Sequence, residues 1–216
     1  LLVGAAGVYL YDKKQTPMEF SNLSPRSSDA TASVEYSNAQ KAVEFYRDAI
    51  RKKPQAIQNY VELAQIYIQE ARVTALHHEY FPKAERLLDE ALKQNPNDFN
   101  ALITKAGMQS TLHQFEDAER LANKAIALNP YNAFAYGVLV DAHVELGEYA
   151  EAVRVCDKML SIRPDLRSYA RASYLRELHG DVEGARQAMQ MAAESGVFGH
   201  ENRAWAFYNL GKLYLN

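Results

Sequence analysis

From Val34 onward, apolar residues recur at helical spacing. The stretch "AFAYGVLVDAHVEL" (133–146) sets Phe134, Val138, Ala142 and Leu146 on one stripe, and "YAEAVRVCDKML" (149–160) sets Tyr149, Val153, Cys156 and Leu160 on another. Gly147 separates the two, at a place where a helix interior would lose about 1 kcal/mol relative to alanine. The pattern predicts two antiparallel helices, with the glycine just past the end of the first. No strand pattern precedes it, so a phosphate-binding loop has no support.

The pattern repeats. Pro96, Pro130 and Pro164 are spaced 34 residues apart, and each closes a similar phrase: "ALKQNP", "AIALNP" and "MLSIRP". The earlier "AIRKKP" ends at Pro54, one period plus eight residues before Pro96. A fixed period of this size is the mark of stacked helix pairs, because one pair cannot bury its apolar face alone.

These phrases resemble the tetratricopeptide repeat. Tyr60, Leu63, Ala64, Tyr67, Ala84, Leu88, Ala91 and Pro96 fit its pattern across an insertion, and Leu102, Ala106, Ala118, Ala122, Ala125 and Pro130 fit it again. Tyr136, Leu139, Ala152, Cys156 and Pro164 form a third match, with Met159 in place of an alanine. Tyr174, Ala185, Met189 and Ala192 form a fourth, without a closing proline. Ala42, Tyr46, Ala49 and Pro54 read as the second half of a unit, and Phe207, Leu210, Gly211 and Tyr214 as the first half of another. The resemblance implies an all-α fold, a right-handed α-solenoid of stacked antiparallel helix pairs. Its units would be a half unit 34–56, full units 57–98, 99–132, 133–166 and 167–203, and a half unit 204–216.

The resemblance also implies a function and a surface. Such repeats act as non-catalytic scaffolds for protein partners, bound in a groove lined by the first helix of each pair. The groove positions are here Gln58, Val61, Gln65, Asn100, Ile103, Phe134, Asp141, Ser168 and Arg171. Some family members grip the acidic C-terminus of heat-shock chaperones through Lys, Asn and Arg in this groove. Val61 and Gln65, Ile103 and Gly107, and Gly137 and Asp141 occupy the corresponding places, which disfavours that adaptor role.

Composition adjusts this reading at the N-terminus. The run "LLVGAAGVYLY" carries no charge and is followed by Asp12, Lys13 and Lys14. Residues 1–14 read as the apolar end of a signal or membrane-anchor segment, which residues before Leu1 would extend to the roughly 20 that span a bilayer. Residues 15–33, with two prolines and five serines, read as a linker. The expectation is therefore a bacterial exported or membrane-anchored protein on the periplasmic or extracellular side. The net charge of −3 gives no basic face for nucleic acid. A permanent subunit of a larger assembly, or an accessory domain of an enzyme, are the alternative roles.

Candidate chemistry is sparse. Cys156, the single cysteine, falls on a core-facing helix position with no activating base at helical spacing. His77 and His78 are adjacent, so on a helix they point about 100° apart and do not share a metal. No catalytic residue, cofactor or metal is expected. The eight-residue excess before Pro96 predicts a first helix extended to near Leu76, with Pro82 in the first turn of the next. That would project His77, His78, Tyr80 and Phe81 at an edge as a contact site. At the other end, Phe207, Leu210, Leu213 and Tyr214 leave an apolar edge that predicts self-association or further repeats.

Overall fold

The computed structural model describes residues 21–26 and 33–215. Among them are ten helices and no strand: α1 (Val34–Lys52), α2 (Ile57–Thr74), α3 (His77–Gln94), α4 (Phe99–Thr111), α5 (Phe115–Leu128), α6 (Ala133–Glu145), α7 (Tyr149–Ile162), α8 (Leu166–Leu178), α9 (Val182–Ser195) and α10 (Glu201–Leu215). No described helix is long and apolar enough to cross a membrane. The apolar run 1–14 lies outside the described residues, as does the linker apart from residues 21–26 and 33. The contacts divide the chain into two compact units, Leu1–Gln94 and Asn95–Asn216.

Helix ends follow local chemistry. Ser33, Asp98, Asn132, Asp165 and Asp181 each accept a backbone N–H of the first helical turn through their side chains. Each such cap is worth about 1 kcal/mol. Gly147 and Gly180 adopt φ of +78° in the α6–α7 and α8–α9 turns, as the sequence predicts for Gly147. His113 takes the same left-handed role in the α4–α5 turn, with φ of +58°.

In the Asn95–Asn216 unit, α4–α5, α6–α7 and α8–α9 form pairs, and each second helix also packs on the first helix of the next pair. The helices α4, α6, α8 and α10 touch in succession as one row. Hence α6 is covered on several sides and buries nine of its residues, rather than the single stripe the sequence suggests. On α7 the buried face is Ala152, Val155, Cys156 and Met159, while Tyr149 and Val153 are exposed. Small residues such as Ala118, Ala122, Ala125 and Ala152 stand fully buried where helices approach closely.

In the Leu1–Gln94 unit the eight-residue excess is shared between two helices. Both α2 and α3 have 18 residues, against 13 and 14 in α4 and α5. The first helix ends at Thr74 rather than Leu76, and Ala75 turns the chain at φ of +57°. Pro82 therefore lies inside α3, not in its first turn. Lengthening both helices keeps them paired, so the added turns extend the core instead of projecting from it. Tyr80 and Phe81 are buried, and only His77 and His78 are exposed.

Candidate protein-binding surfaces

Along the row of α6, α8 and α10 lies a cleft of about 370 Å³. Its fixed point is Arg171. The guanidinium donates from Nε to Asp141 Oδ1 at 2.8 Å and from Nη2 to Asp141 Oδ2 at 2.6 Å, a two-pronged pair that fixes orientation as well as charge. Nε also donates to the Gly137 carbonyl at 3.2 Å. A Cβ on Gly137 would come within 3.3 Å of Arg171 Cζ and of Met159 Cε, so the guanidinium packs tightly against the α6 backbone. Around this pair stand Tyr174, Glu177, Trp205, Asn209 and Lys212. Tyr174 and Trp205 are about half exposed, at 48% and 50%, and Met189 and Leu213 form the apolar floor. A fixed charge pair, two half-exposed rings and an amide thus line one cleft.

The cleft corrects the repeat register. Gly147 to Gly180 spans 33 residues, while Pro130 to Pro164 spans 34. The missing residue lies between Pro164 and Leu166: Asp165 caps α8 directly, where Tyr131 and Asn132 separate Pro130 from α6. The groove-facing positions of α8 therefore fall one residue earlier, and they include Tyr174 and Glu177. Ser168, expected in the groove, is fully buried in the capping box, its hydroxyl donating to the Arg163 carbonyl at 2.7 Å. Val61 and Ile103 are buried as well, whereas Gln58, Gln65, Asn100 and Phe134 are exposed. The Phe134 ring lies over Gly107, 3.3 Å from where a Cβ would stand.

A second surface was not foreseen. Residues 21–26 form no helix or strand and lie across the Leu1–Gln94 unit, touching α1, α2 and α3. Leu23 is buried. Tyr67 Oη donates to the Ser21 carbonyl at 2.7 Å, and the Leu23 N–H donates to Gln40 Oε1 at 3.0 Å. The Ser24 N–H donates to Tyr80 Oη at 2.8 Å, and the Ser24 hydroxyl to Glu79 Oε1 at 2.7 Å. Arg47 donates to Asn22 Oδ1 at 2.7 Å. Arg26 forms a two-pronged pair with Glu70, both bonds 2.8 Å, and a further bond to Glu35 at 3.2 Å. Glu70 raises the Arg26 pKa further above its ordinary value, against the lowering effect of burial. Burial pushes the Tyr67 hydroxyl up to about 12.

The α10 edge is divided. Leu210 and Leu213 are buried in a cluster with Ala170, Ala185, Met189, Ala192 and Ala206, so they do not face outward. Phe207, Tyr208, Tyr214 and Leu215 are exposed. Cys156 is buried, and burial pushes its thiol up to about 11, which leaves it protonated and unreactive. One cluster escaped the sequence: Glu119, His143 and Glu148 bring donor atoms within 4.8 Å of one another. The His143 ring nitrogen lies 2.6 Å from Glu148 Oε2, and the Glu148 N–H donates to the His143 carbonyl at 2.8 Å, so the contact closes the α6–α7 turn.

Comparison with known proteins agrees with the helical-repeat fold. A family model described as tetratricopeptide repeat matches residues 111–176. No curated protein sequence matches the chain. Among solved structures, a thermophilic tetratricopeptide repeat protein from Thermus thermophilus is similar at a TM-score of 0.67, with 14% identity over 84% of this chain and 94% of that one. PilF of Pseudomonas aeruginosa is similar at 0.64, with 17% identity over 84% and 79%. MamA is similar at 0.60, with 19% identity over 78% and 94%. At these identities the likeness is one of fold: helix pairs stacked as in tetratricopeptide repeat solenoids.

Proposed function

We propose that the chain is a non-catalytic tetratricopeptide repeat scaffold that holds a protein partner in the cleft of α6, α8 and α10. The observation that supports this most is the half-exposed pair Tyr174 and Trp205 beside a guanidinium already fixed by Asp141. Tyr and Trp side chains have few rotatable bonds and so lose little freedom on binding, and aromatic residues are enriched at the centres of interfaces. The partner segment lies extended, with an apolar side chain against Met189 and Leu213. Trp205 is the single tryptophan, so its emission reports occupancy directly. A photo-crosslinking residue at position 174 should capture the partner, and one at position 153, on the exposed face of α7, should not. Capture from position 153 alone overturns the reading.

The uncharged residues 1–11 support a scaffold that is exported or membrane-anchored. Fractionation of the full-length protein tests this, and recovery in the soluble cytoplasmic fraction without detergent counts against it. A permanent place in a larger assembly is the second reading, favoured by the exposed apolar residues of α10.

A further inference from the structure

The segment at residues 21–26 is held as a ligand is held. Four of its backbone groups are bound by scaffold side chains: the Ser21 carbonyl by Tyr67, the Leu23 N–H by Gln40, the Leu23 carbonyl by Tyr36 and the Ser24 N–H by Tyr80. Contacts to backbone groups hold any extended chain, while contacts to side chains choose the sequence. Here the choice is made by the burial of Leu23, by Glu79 accepting from the Ser24 hydroxyl and by Glu70 accepting twice from Arg26. A linker that only joins two regions needs none of these.

If the segment leaves, Tyr67 loses the acceptor of its hydroxyl and Glu70 loses its guanidinium. Glu70, 1% exposed with the segment in place, then becomes an acidic socket next to a vacated leucine pocket. Such a socket favours a replacement of the same chemistry, because a peptide that covers the carboxylate without supplying a cation leaves it buried and unpaired, which is costly.

We infer that the face formed by α1, α2 and the start of α3 is a peptide-binding site whose resident occupant is the chain's own residues 21–26. Its partner is an extended peptide of another protein that supplies a leucine, a hydroxyl on the next residue and an arginine two residues after that. The site is separate from the cleft of α6, α8 and α10, and its outcome does not depend on that reading. The resident segment competes from within the same chain at an effective concentration in the millimolar range, so an incoming peptide has to match it closely.

The test uses the full chain carrying Leu23→Asp and Arg26→Ala, which empties the site, and a fluorescent synthetic peptide with the sequence of residues 21–26. The emptied chain should bind the peptide at least about tenfold more tightly than the wild-type chain does. Adding Glu70→Arg should abolish that binding, and a peptide with glutamate in place of its arginine should restore it. Failure of the emptied chain to bind the peptide, while its circular dichroism stays helical, overturns the inference. Sedimentation of emptied and wild-type chains together, both carrying Phe207→Glu and Tyr214→Lys so that the exposed side chains of α10 do not associate them, separates the sources. Peptide uptake without a mixed dimer supports a heterologous peptide. A mixed dimer without peptide uptake means that only a second copy supplies the segment, and overturns it.

Discussion

The Glu70 carboxylate, on α2, receives Nε and Nη2 of Arg26 at 2.8 Å each, across 44 residues of sequence. The two partners are not equivalent. Arg26 sits on a segment without secondary structure and has Glu35 as a further partner, whereas Glu70 is fixed in a helix. Arg26→Ala should therefore destabilise the protein by about 3 kcal/mol, as an unpaired buried charge does. Adding Glu70→Leu should recover more than half of that. Urea unfolding measures both, and a double variant no more stable than Arg26→Ala contradicts the asymmetry.

The α2–α3 extension is core rather than contact edge. Phe81→Ala should cost about 3 kcal/mol or more, the usual range for a buried aromatic. His77→Ala and His78→Ala should each stay within about 0.5 kcal/mol, as exposed substitutions do. A large loss from either histidine in thermal unfolding would show that the exposed rings carry structural weight.

His113 holds a left-handed conformation that glycine holds at the matching turns, Gly147 and Gly180. His113→Gly should raise stability by up to about 1 kcal/mol, and Gly147→Ala or Gly180→Ala should lower it by about 1 kcal/mol. Space does not decide the outcome at the two glycines, since a Cβ there meets nothing within 4 Å. Equal midpoints for wild type and Gly147→Ala would mean that the turn relaxes freely.

Acid should loosen the docked segment. Burial by itself would raise the pKa of Glu79, but the Ser24 hydroxyl and Lys83 outweigh it and hold the carboxyl below its ordinary 4.5. A carboxylate depressed in the folded state adds stability that is complete above 4.5 and is lost as pH falls through the lower folded value. The acid limb of the wild-type stability curve should be steeper than that of Glu79→Gln. Superimposable limbs would remove Glu79 from the account.

The exposed Phe207, Tyr208, Tyr214 and Leu215 place apolar area on one helix. We expect the chain to self-associate at roughly 0.1 mM through this face, as exposed apolar patches do. Phe207→Glu with Tyr214→Lys should shift sedimentation towards the monomer. Leu213→Glu should unfold α10 instead, because Leu213 is buried. A wild-type chain that sediments as a monomer would reject the association.

Periodicity carried most of the fold. Prolines spaced 34 residues apart mark where second helices stop, and Gly147 marks where a first helix turns, because both act locally through backbone geometry. What periodicity did not carry was non-local. Residues 21–26 have no period, since they form no helix; their order comes from partners up to 56 residues away, such as Ser24 with Tyr80. Glu70 looked like any polar helix residue until Arg26 reached it. The shortened turn before α8 shifted the groove register by one, because counting from a proline cannot show where a residue has been lost. Tyr80 and Phe81 were expected outside because lengthening one helix alone makes a projection, yet the excess lengthened two paired helices that cover each other.

Docking of residues 21–26 also sets a leash. The 14 residues from Ser21 to Val34 could extend to about 45 Å as a free chain. Fastened to α1, α2 and α3, residues 21–26 no longer add to that reach. If the N-terminal run is held at a surface, the helical units search a smaller volume around it with the segment docked than with it released. Exchange of the segment for another peptide would then lengthen the reach of the scaffold as well as change what it holds.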